Sequence, residues 1–237
     1  MPTVLAVDTS AKSVSCAIVR NHKVLASFYA DNGLTHSQTL MPMIENTLSV
    51  SGISVGDLDA VAVNAGPGSF TGVRIGVSAV KGIAFTANLP CISVSTLESM
   101  AYNGAFTHNT IVCGVMDARC QQVYSATFRI DENGHPIRMT EDAALSIADL
   151  GLYLSELEQP IVLVGDGSEL CHRYLSDSVP NLTLAPATMR NQNAAATALI
   201  AERMFEAGET VSAEALLPVY LRLPQAEREL NEKLKAQ

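Results

Sequence analysis

Apolar residues along the chain fall into two rhythms, one of strand length and one of helical period. Thr3 to Asp8 is a short apolar run, Ser13 to Arg20 is rich in Val, Ile and Ser, and Lys23 to Tyr29 resumes after an Asn21-His22 turn. The chain therefore opens as a three-stranded meander whose first strand ends in Asp8-Thr9-Ser10. From Thr35 the period lengthens. Leu40, Ile44 and Leu48 recur every fourth residue beside Met43 and Thr47, which predicts a helix that Gly52 stops. Leu58 to Asn64 reads as a buried strand, and the turn Gly66-Pro67-Gly68-Ser69-Phe70-Thr71-Gly72 follows at once. A second helix then runs from about Gly72 to Ala87. A strand at Cys91 to Val94 and a helix at Thr96 to Tyr102 lead to Asn103-Gly104 and Thr107-His108-Asn109, a polar stretch that marks a lobe boundary.

The second half starts over in the same way. Strands at Ile111 to Met116 and Gln122 to Ile130 are followed by the turn Asp131-Glu132-Asn133-Gly134 and a helix at Ile147 to Glu156. A strand at Ile161 to Val164, the turn Gly165-Asp166-Gly167 and a helix at Glu169 to Leu175 come next. Asn193 to Ala207 is the best helix of this half, with Ala196, Leu199, Ile200 and Phe205 on one apolar face. Both halves open with a strand, an aspartate (Asp8, Asp117) and a hairpin. The expectation is an α/β fold of two related lobes, residues 1–104 and 105–237. After Pro218-Val219-Tyr220-Leu221-Arg222, residues 225–237 mix acidic and basic side chains. That pattern fits a solvated terminal helix or tail, or a segment that docks a partner.

Composition narrows the class. With 48% hydrophobic and 16% charged residues, the 237-residue chain is expected to pack and not to be disordered. The first residues carry no basic, cleavable leader, and no uncharged apolar run reaches the roughly 18 residues of a membrane helix. No membrane association and a cytoplasmic location are expected. The five cysteines are odd in number and never form C-x-x-C, which points to reduced, buried thiols. A formal net charge of −9, from 15 basic and 24 acidic residues, argues against primary nucleic-acid binding, because phosphate contacts need clustered Lys and Arg. If RNA is involved, another subunit would supply the basic groove.

The glycine-rich turn allows two readings. Strand, glycine turn and helix N-terminus can cradle an anion, or the glycines can simply build a tight elbow that Ser69 or Thr71 caps. There is no Gly-Lys-Ser or Gly-Lys-Thr, so it is not a P-loop, and it is not the G-x-G-x-x-G fingerprint. The helix beyond it is rich in small residues (Gly76, Ser78, Ala79, Gly82, Ala84) among Val73, Ile75, Val77, Val80 and Ile83. Glycine inside a helix costs about 1 kcal/mol against alanine, so another backbone must lie close, within the chain or in a second subunit.

These residues carry a family resemblance. Leu5-Ala6-Val7-Asp8-Thr9-Ser10, His36 with Leu40-Met41-Pro42-Met43-Ile44, Gly66 to Gly72 with Val73-Arg74-Ile75-Gly76, Asp117-Ala118-Arg119 and Pro218 to Arg222 resemble the TsaB (YeaZ) family, in order and over most of the chain. The resemblance implies a two-lobed, actin-like fold of the Hsp70 and sugar-kinase type. It also implies a part in making threonylcarbamoyladenosine at position 37 of tRNAs that read codons starting with A. TsaB-type proteins pair with the catalytic TsaD subunit, joined by the ATPase TsaE, and self-associate as homodimers through their first two helices. On that basis a partner or dimer interface is expected at His36, Leu40, Met43, Ile44, Thr47, Val73, Gly76, Val77 and Val80.

The resemblance also sets off what the chain lacks. TsaD-like relatives hold a metal with H-x-x-x-H, where this chain reads Ser93-Val94-Ser95-Thr96-Leu97-Glu98-Ser99-Met100-Ala101. No two of its five histidines fall three to five residues apart. The loops after Asp8 and Asp117 carry no glycine to bring backbone N–H groups onto a phosphate. That leaves at most weak nucleotide contact, through Asp8, Ser10, Gly165 and Gly167. No catalytic residue, metal ligand or cofactor of its own is expected, ATP and a metal being implied for the partner subunits, and tRNA would be met only through the complex. The alternatives are a degenerate glycoprotease-like hydrolase, which needs a nucleophile and base brought together in space, and a nucleotide-binding regulatory module.

Overall fold

A computed structural model describes residues 2–105, 107 and 109–222. The charged segment 225–237 lies outside the described residues. Two mixed sheets are built on one plan. In the first, β1 (Thr3–Asp8) is flanked on one side by antiparallel β2 (Val14–Arg20) and β3 (Lys23–Ala30). On its other side lie parallel β4 (Ala60–Gly66) and β5 (Cys91–Ser95), giving the order β3-β2-β1-β4-β5. In the second, β6 (Ile111–Asp117) takes the place of β1, with β7 (Gln122–Ile130) and β8 (Pro136–Arg138) on one side. β9 (Ala143–Ser146) pairs along β7, while β10 (Ile161–Val164) and β11 (Leu182–Leu184) run parallel beyond β6. The shared strand order is the duplicated, actin-like architecture that the resemblance implies.

Parallel neighbours need crossover helices. The chain supplies α1 (His36–Ser51) between β3 and β4 and α2 (Phe70–Ala87) between β4 and β5. α3 (Thr96–Ala101) follows β5, and α4 (Ile147–Ser155), α5 (Ser168–Leu175) and α6 (Ala194–Glu206) occupy the matching places of the second half. Gly52 ends α1 in the left-handed conformation at φ 66°, its N–H returning to the Leu48 and Ser49 carbonyls. α2 starts two residues earlier than the sequence reading, because Ser69 is its N-cap and accepts the Gly72 N–H at 3.2 Å.

The helices do not respect the lobe boundary. On one face of the first sheet, Leu5, Val7, Cys16, Ile18, Val61 and Val63 pack against α1 and α2. On the other, Val4, Ala6, Ala17, Ala60, Ala62, Ile92 and Val94 pack against α6, a helix from the far half of the chain. In exchange, α3 lays Leu97, Met100 and Ala101 on the second sheet beside Val112, Met116 and Phe128. The expected lobe 105–237, with its helix near 193–207, is thereby corrected. Residues 211–219 also return to the first lobe, with Val211 bridging Cys91, Leu216 in the core and the Val219 N–H on the Ala65 carbonyl at 2.7 Å. With both faces covered, β1 and β4 are buried along their whole length and show no alternation of buried and exposed positions.

α6 meets its sheet through Ala194, Ala198 and Ala201 against the sheet's own alanines, so the contact is close and offers no spare volume. Ala198→Leu should therefore lower stability by about 1–3 kcal/mol through overpacking. Urea unfolding reads this directly, and an unchanged midpoint would show that the helix sits loosely on the sheet.

Candidate functional site

The strand ends that carry the sequence motifs meet between the lobes. Asp8, at the end of β1, is only 2% exposed. Its Oδ1 accepts the Ser10 N–H (2.8 Å) and hydroxyl (2.6 Å), and its Oδ2 accepts Asn64 Nδ2 (2.7 Å). Burial pushes the Asp8 carboxyl above its ordinary range, and the Ser10 and Asn64 hydrogen bonds pull against that shift. The Asp8 carboxylate, expected to offer weak nucleotide contact, is thus engaged by the protein itself, while Ser10 lines the cleft between the lobes.

The turn at 66–72 is folded onto the same loop. The Ser69 N–H donates to the Ser10 carbonyl at 2.6 Å, and Thr9 Oγ1 donates to the Gly72 carbonyl at 2.7 Å. A Cβ on Gly68, Gly72 or Gly76 would run into Ser10 or Thr9. Of the two readings of this turn, elbow and anion cradle, the geometry is that of the elbow. The second lobe repeats it. Gly66 (φ 134°), the last residue of β4, and Gly165 (φ 101°), the first after β10, both take a conformation that disfavours any side chain. Two residues later, Gly68 backs onto Ser10 and Gly167 onto the Met116–Asp117 backbone. Gly167 is buried there, so it too turns inward and not toward a ligand.

A cleft of about 320 Å³ remains between the lobes, with Lys12, Arg119 and Arg222 facing Asp117 and Asp166. Its mouth is crossed by residues 218–222. Tyr220 stacks on Phe70 with centroids 4.6 Å apart, the Arg74 guanidinium lies 3.9 Å over Phe70, and Arg74 Nε donates to the Tyr220 hydroxyl at 2.8 Å. Arg222 then reaches the Ala118 carbonyl of the other lobe at 2.6 Å. Sequence reasoning singled out Arg74 and Pro218 to Arg222 without joining them. Their partnership spans 146 positions and leaves no local signal.

The expected interface residues fall elsewhere. Leu40, Ile44, Thr47, Val73, Gly76, Val77 and Val80 are buried under the first sheet, Val77 being 4% exposed, and Met43 packs half-buried against them. Their periodicity marks the core side of α1 and α2, so a charge at Val77 would disrupt the fold before it tested any partner. His36 is half-buried, its Nε2 donating to the Ala11 carbonyl at 2.7 Å. The outward side carries Thr71, Arg74, Ser78, Gly82 and Phe85 on α2, and Met41 and Val50 on α1. Among the described residues, no group of three or more His, Cys, Asp or Glu is placed to hold a metal, and no helix is long and apolar enough to cross a membrane.

Strand order and cleft together define a two-lobed, actin-like protein whose first strand-end aspartate is sealed inside. Residues 31–230 match the family model described as TsaD: tRNA N6-adenosine threonylcarbamoyltransferase. Over 221 residues the chain is 37% identical to the tRNA threonylcarbamoyladenosine biosynthesis protein TsaB of Escherichia coli K12, covering 92% of the chain and 94% of that protein. With TsaB of Bacillus subtilis 168 it shares 30% identity over 234 residues, 98% of the chain and 100% of the relative. A crystal structure from Pseudomonas aeruginosa, described as an uncharacterized protein with similarity to peptidase YEAZ, superposes with a TM-score of 0.80 at 28% identity, covering 94% of the chain and 100% of that structure. The chain belongs to the TsaB family of tRNA threonylcarbamoyladenosine biosynthesis proteins.

One cleft group titrates within reach of neutral pH. Burial, with the Asp117 charge adding to it, pushes the Asp166 carboxyl up to about 6 from its ordinary 3.8, although it accepts the Asp117 backbone N–H and faces Lys12. Between those two pH values the folded state holds a proton that the unfolded chain releases, so stability falls as pH rises through the window. Asp166→Asn should therefore stabilise the protein at pH 7, with the gain shrinking as pH falls toward 4. Thermal unfolding across that range checks it, and a pH-independent difference would contradict it.

Proposed function

We propose that this chain is a non-catalytic subunit that scaffolds and activates a TsaD-type transferase, together with a TsaE-type ATPase, for threonylcarbamoylation at position 37 of tRNAs reading codons that start with A. The observation that carries the reading is the outward side of α2. Gly82 lies exposed in the middle of an 18-residue helix, and a Cβ there would meet nothing within 4 Å. Inside the chain this glycine has no steric cause and weakens the helix by about 1 kcal/mol. Close approach of a second helix supplies the cause, with Ser78 a turn away and Phe85, 74% exposed, beside it. The same face would pair two copies of the chain as a homodimer when the transferase is missing.

The sealed Asp8 and the inward-turned glycines favour a support role over catalysis. ATP and a metal ion then belong to the partner subunits, and tRNA reaches this acidic chain, of net charge −9, only through the complex. A role on tRNA fits a cytoplasmic location for the assembly. A hydrolase would need a base beside a nucleophile, yet with Nε2 donating to the Ala11 carbonyl the basic nitrogen of His36 is Nδ1, which is buried with no hydroxyl or thiol hydrogen-bonded to it.

Gly82→Arg should abolish copurification with a TsaD-type protein and deplete threonylcarbamoyladenosine in cells, while the isolated variant keeps its fold. Gly82→Ala should raise the stability of the isolated chain by up to about 1 kcal/mol. A Gly82→Arg protein that still binds the transferase normally would refute the α2 interface. Stoichiometric metal in the purified chain would refute the non-catalytic assignment.

A further inference from the structure

A second cavity, of about 330 Å³, lies between the β1–β2 loop of one lobe and, from the other, the turn after β10 and the segment leading into α6. The role proposed above makes no use of it. Its charged rim is balanced: Lys12 and Arg190 stand against Asp31 and Glu169, and Arg190 is paired with Glu169. Its buried lining is not. Ser168 is 0% and Gln192 1% exposed. Neither the Ser168 hydroxyl nor either polar atom of the Gln192 side chain has a hydrogen-bond partner, and Asp166 Oδ1 lacks one as well. Buried polar groups in folded proteins are nearly always paired, because each gives up hydration on burial. Several unpaired together, around one cavity of ligand size, form a set that the fold alone does not explain.

We propose that this cavity binds a small uncharged ligand that presents an amide or imide edge to Gln192. A carboxamide places one donor and one acceptor side by side, so its complement is a group with an acceptor and a donor at the same spacing. The Ser168 hydroxyl serves either role for a neighbouring ligand atom. A polyanion is disfavoured, since it would meet Asp31, Asp166 and Glu169, with Arg190 already engaged by Glu169. The lining comes from both lobes, so the bound ligand would bridge them.

The test uses the full chain, nicotinamide and uridine as uncharged amide- and imide-edge probes, and ATP and inorganic phosphate as anionic ones. Saturable binding of nicotinamide or uridine is expected by calorimetry or NMR titration. Gln192→Met, which keeps the side-chain length and removes both polar atoms, should weaken it by roughly tenfold or more. The same variant should melt at or above the wild-type temperature, because it removes buried unpaired groups. A purely structural glutamine would lower the melting temperature instead. Ser168→Ala gives an independent reading should Gln192→Met fail to fold, and it too should weaken the amide probe. The proposal is overturned if neither uncharged probe saturates in the millimolar range, or if ATP or phosphate binds more tightly than both. It is overturned equally if both variants bind the probes unchanged, or if both melt well below wild type.

Discussion

From Ser99 on α3 to Ser10 beyond β1, a continuous run of buried hydrogen bonds crosses the centre of the molecule, and the arrangement of the lobes depends on it. Thr197 on α6 donates to Asn64 Oδ1 at 3.1 Å, and Asn64 Nδ2 donates to Asp8 at 2.7 Å. A threonine hydroxyl has one proton, so the 3.0 Å contact between Ser99 and Thr197 must be donated by Ser99. Each bond fixes the direction of the next, and the orientation of the Asn64 amide follows from the network. α3 and α6, the two helices exchanged between lobes, each contribute one member. Remove any member and a desolvated carboxylate loses support, the condition under which buried charge is most destabilising.

The duplicated glycine turns follow from the same constraint. Helices α2 and α5 each leave a strand beside the exit of that lobe's central strand, where there is room for backbone and not for a Cβ. A single geometric demand, met twice, yields Gly66-Pro67-Gly68 and Gly165-Asp166-Gly167 at matching positions. The segment 218–222 adds a second tie, hydrogen-bonded to Ala65 in one lobe and Ala118 in the other. The cleft is bounded below by the buried polar run and above by this strap.

What could be read from sequence was what is local. The strands at Thr3, Gln122 and Ile161, the period of α1 and the Gly52 stop all depend on neighbouring residues, and their boundaries fall within a residue or two of the structure. The short β8, β9 and β11 escaped notice, since three or four residues carry too little pattern to separate from loop. The destination of α6 was not legible either. Its apolar face says that it packs and is silent on which sheet, because both sheets present alanine and valine. For the same reason periodicity placed Val77 and Val80 on a face and could not say whether that face meets the chain's own core or another protein. Gln192 and Ser168 carried no signal at all, since an unpaired polar side chain is recognisable only once its surroundings are known.

The contrast between the glycines of α2 separates those two demands within one helix. At Gly72 and Gly76 an added methyl would strike Thr9, so the fold itself requires glycine there. At Gly82 it would strike nothing, and the residue makes the isolated helix weaker. A chain whose lobes are locked by the Asp8 run and the 218–222 strap presents its outer helices at a fixed angle. Rigid presentation lowers the ordering cost of association. The ties that bury Asp8 are therefore the same ones that fix the outer helices, and under the proposed role Gly82 marks the point on α2 where a partner helix would come closest.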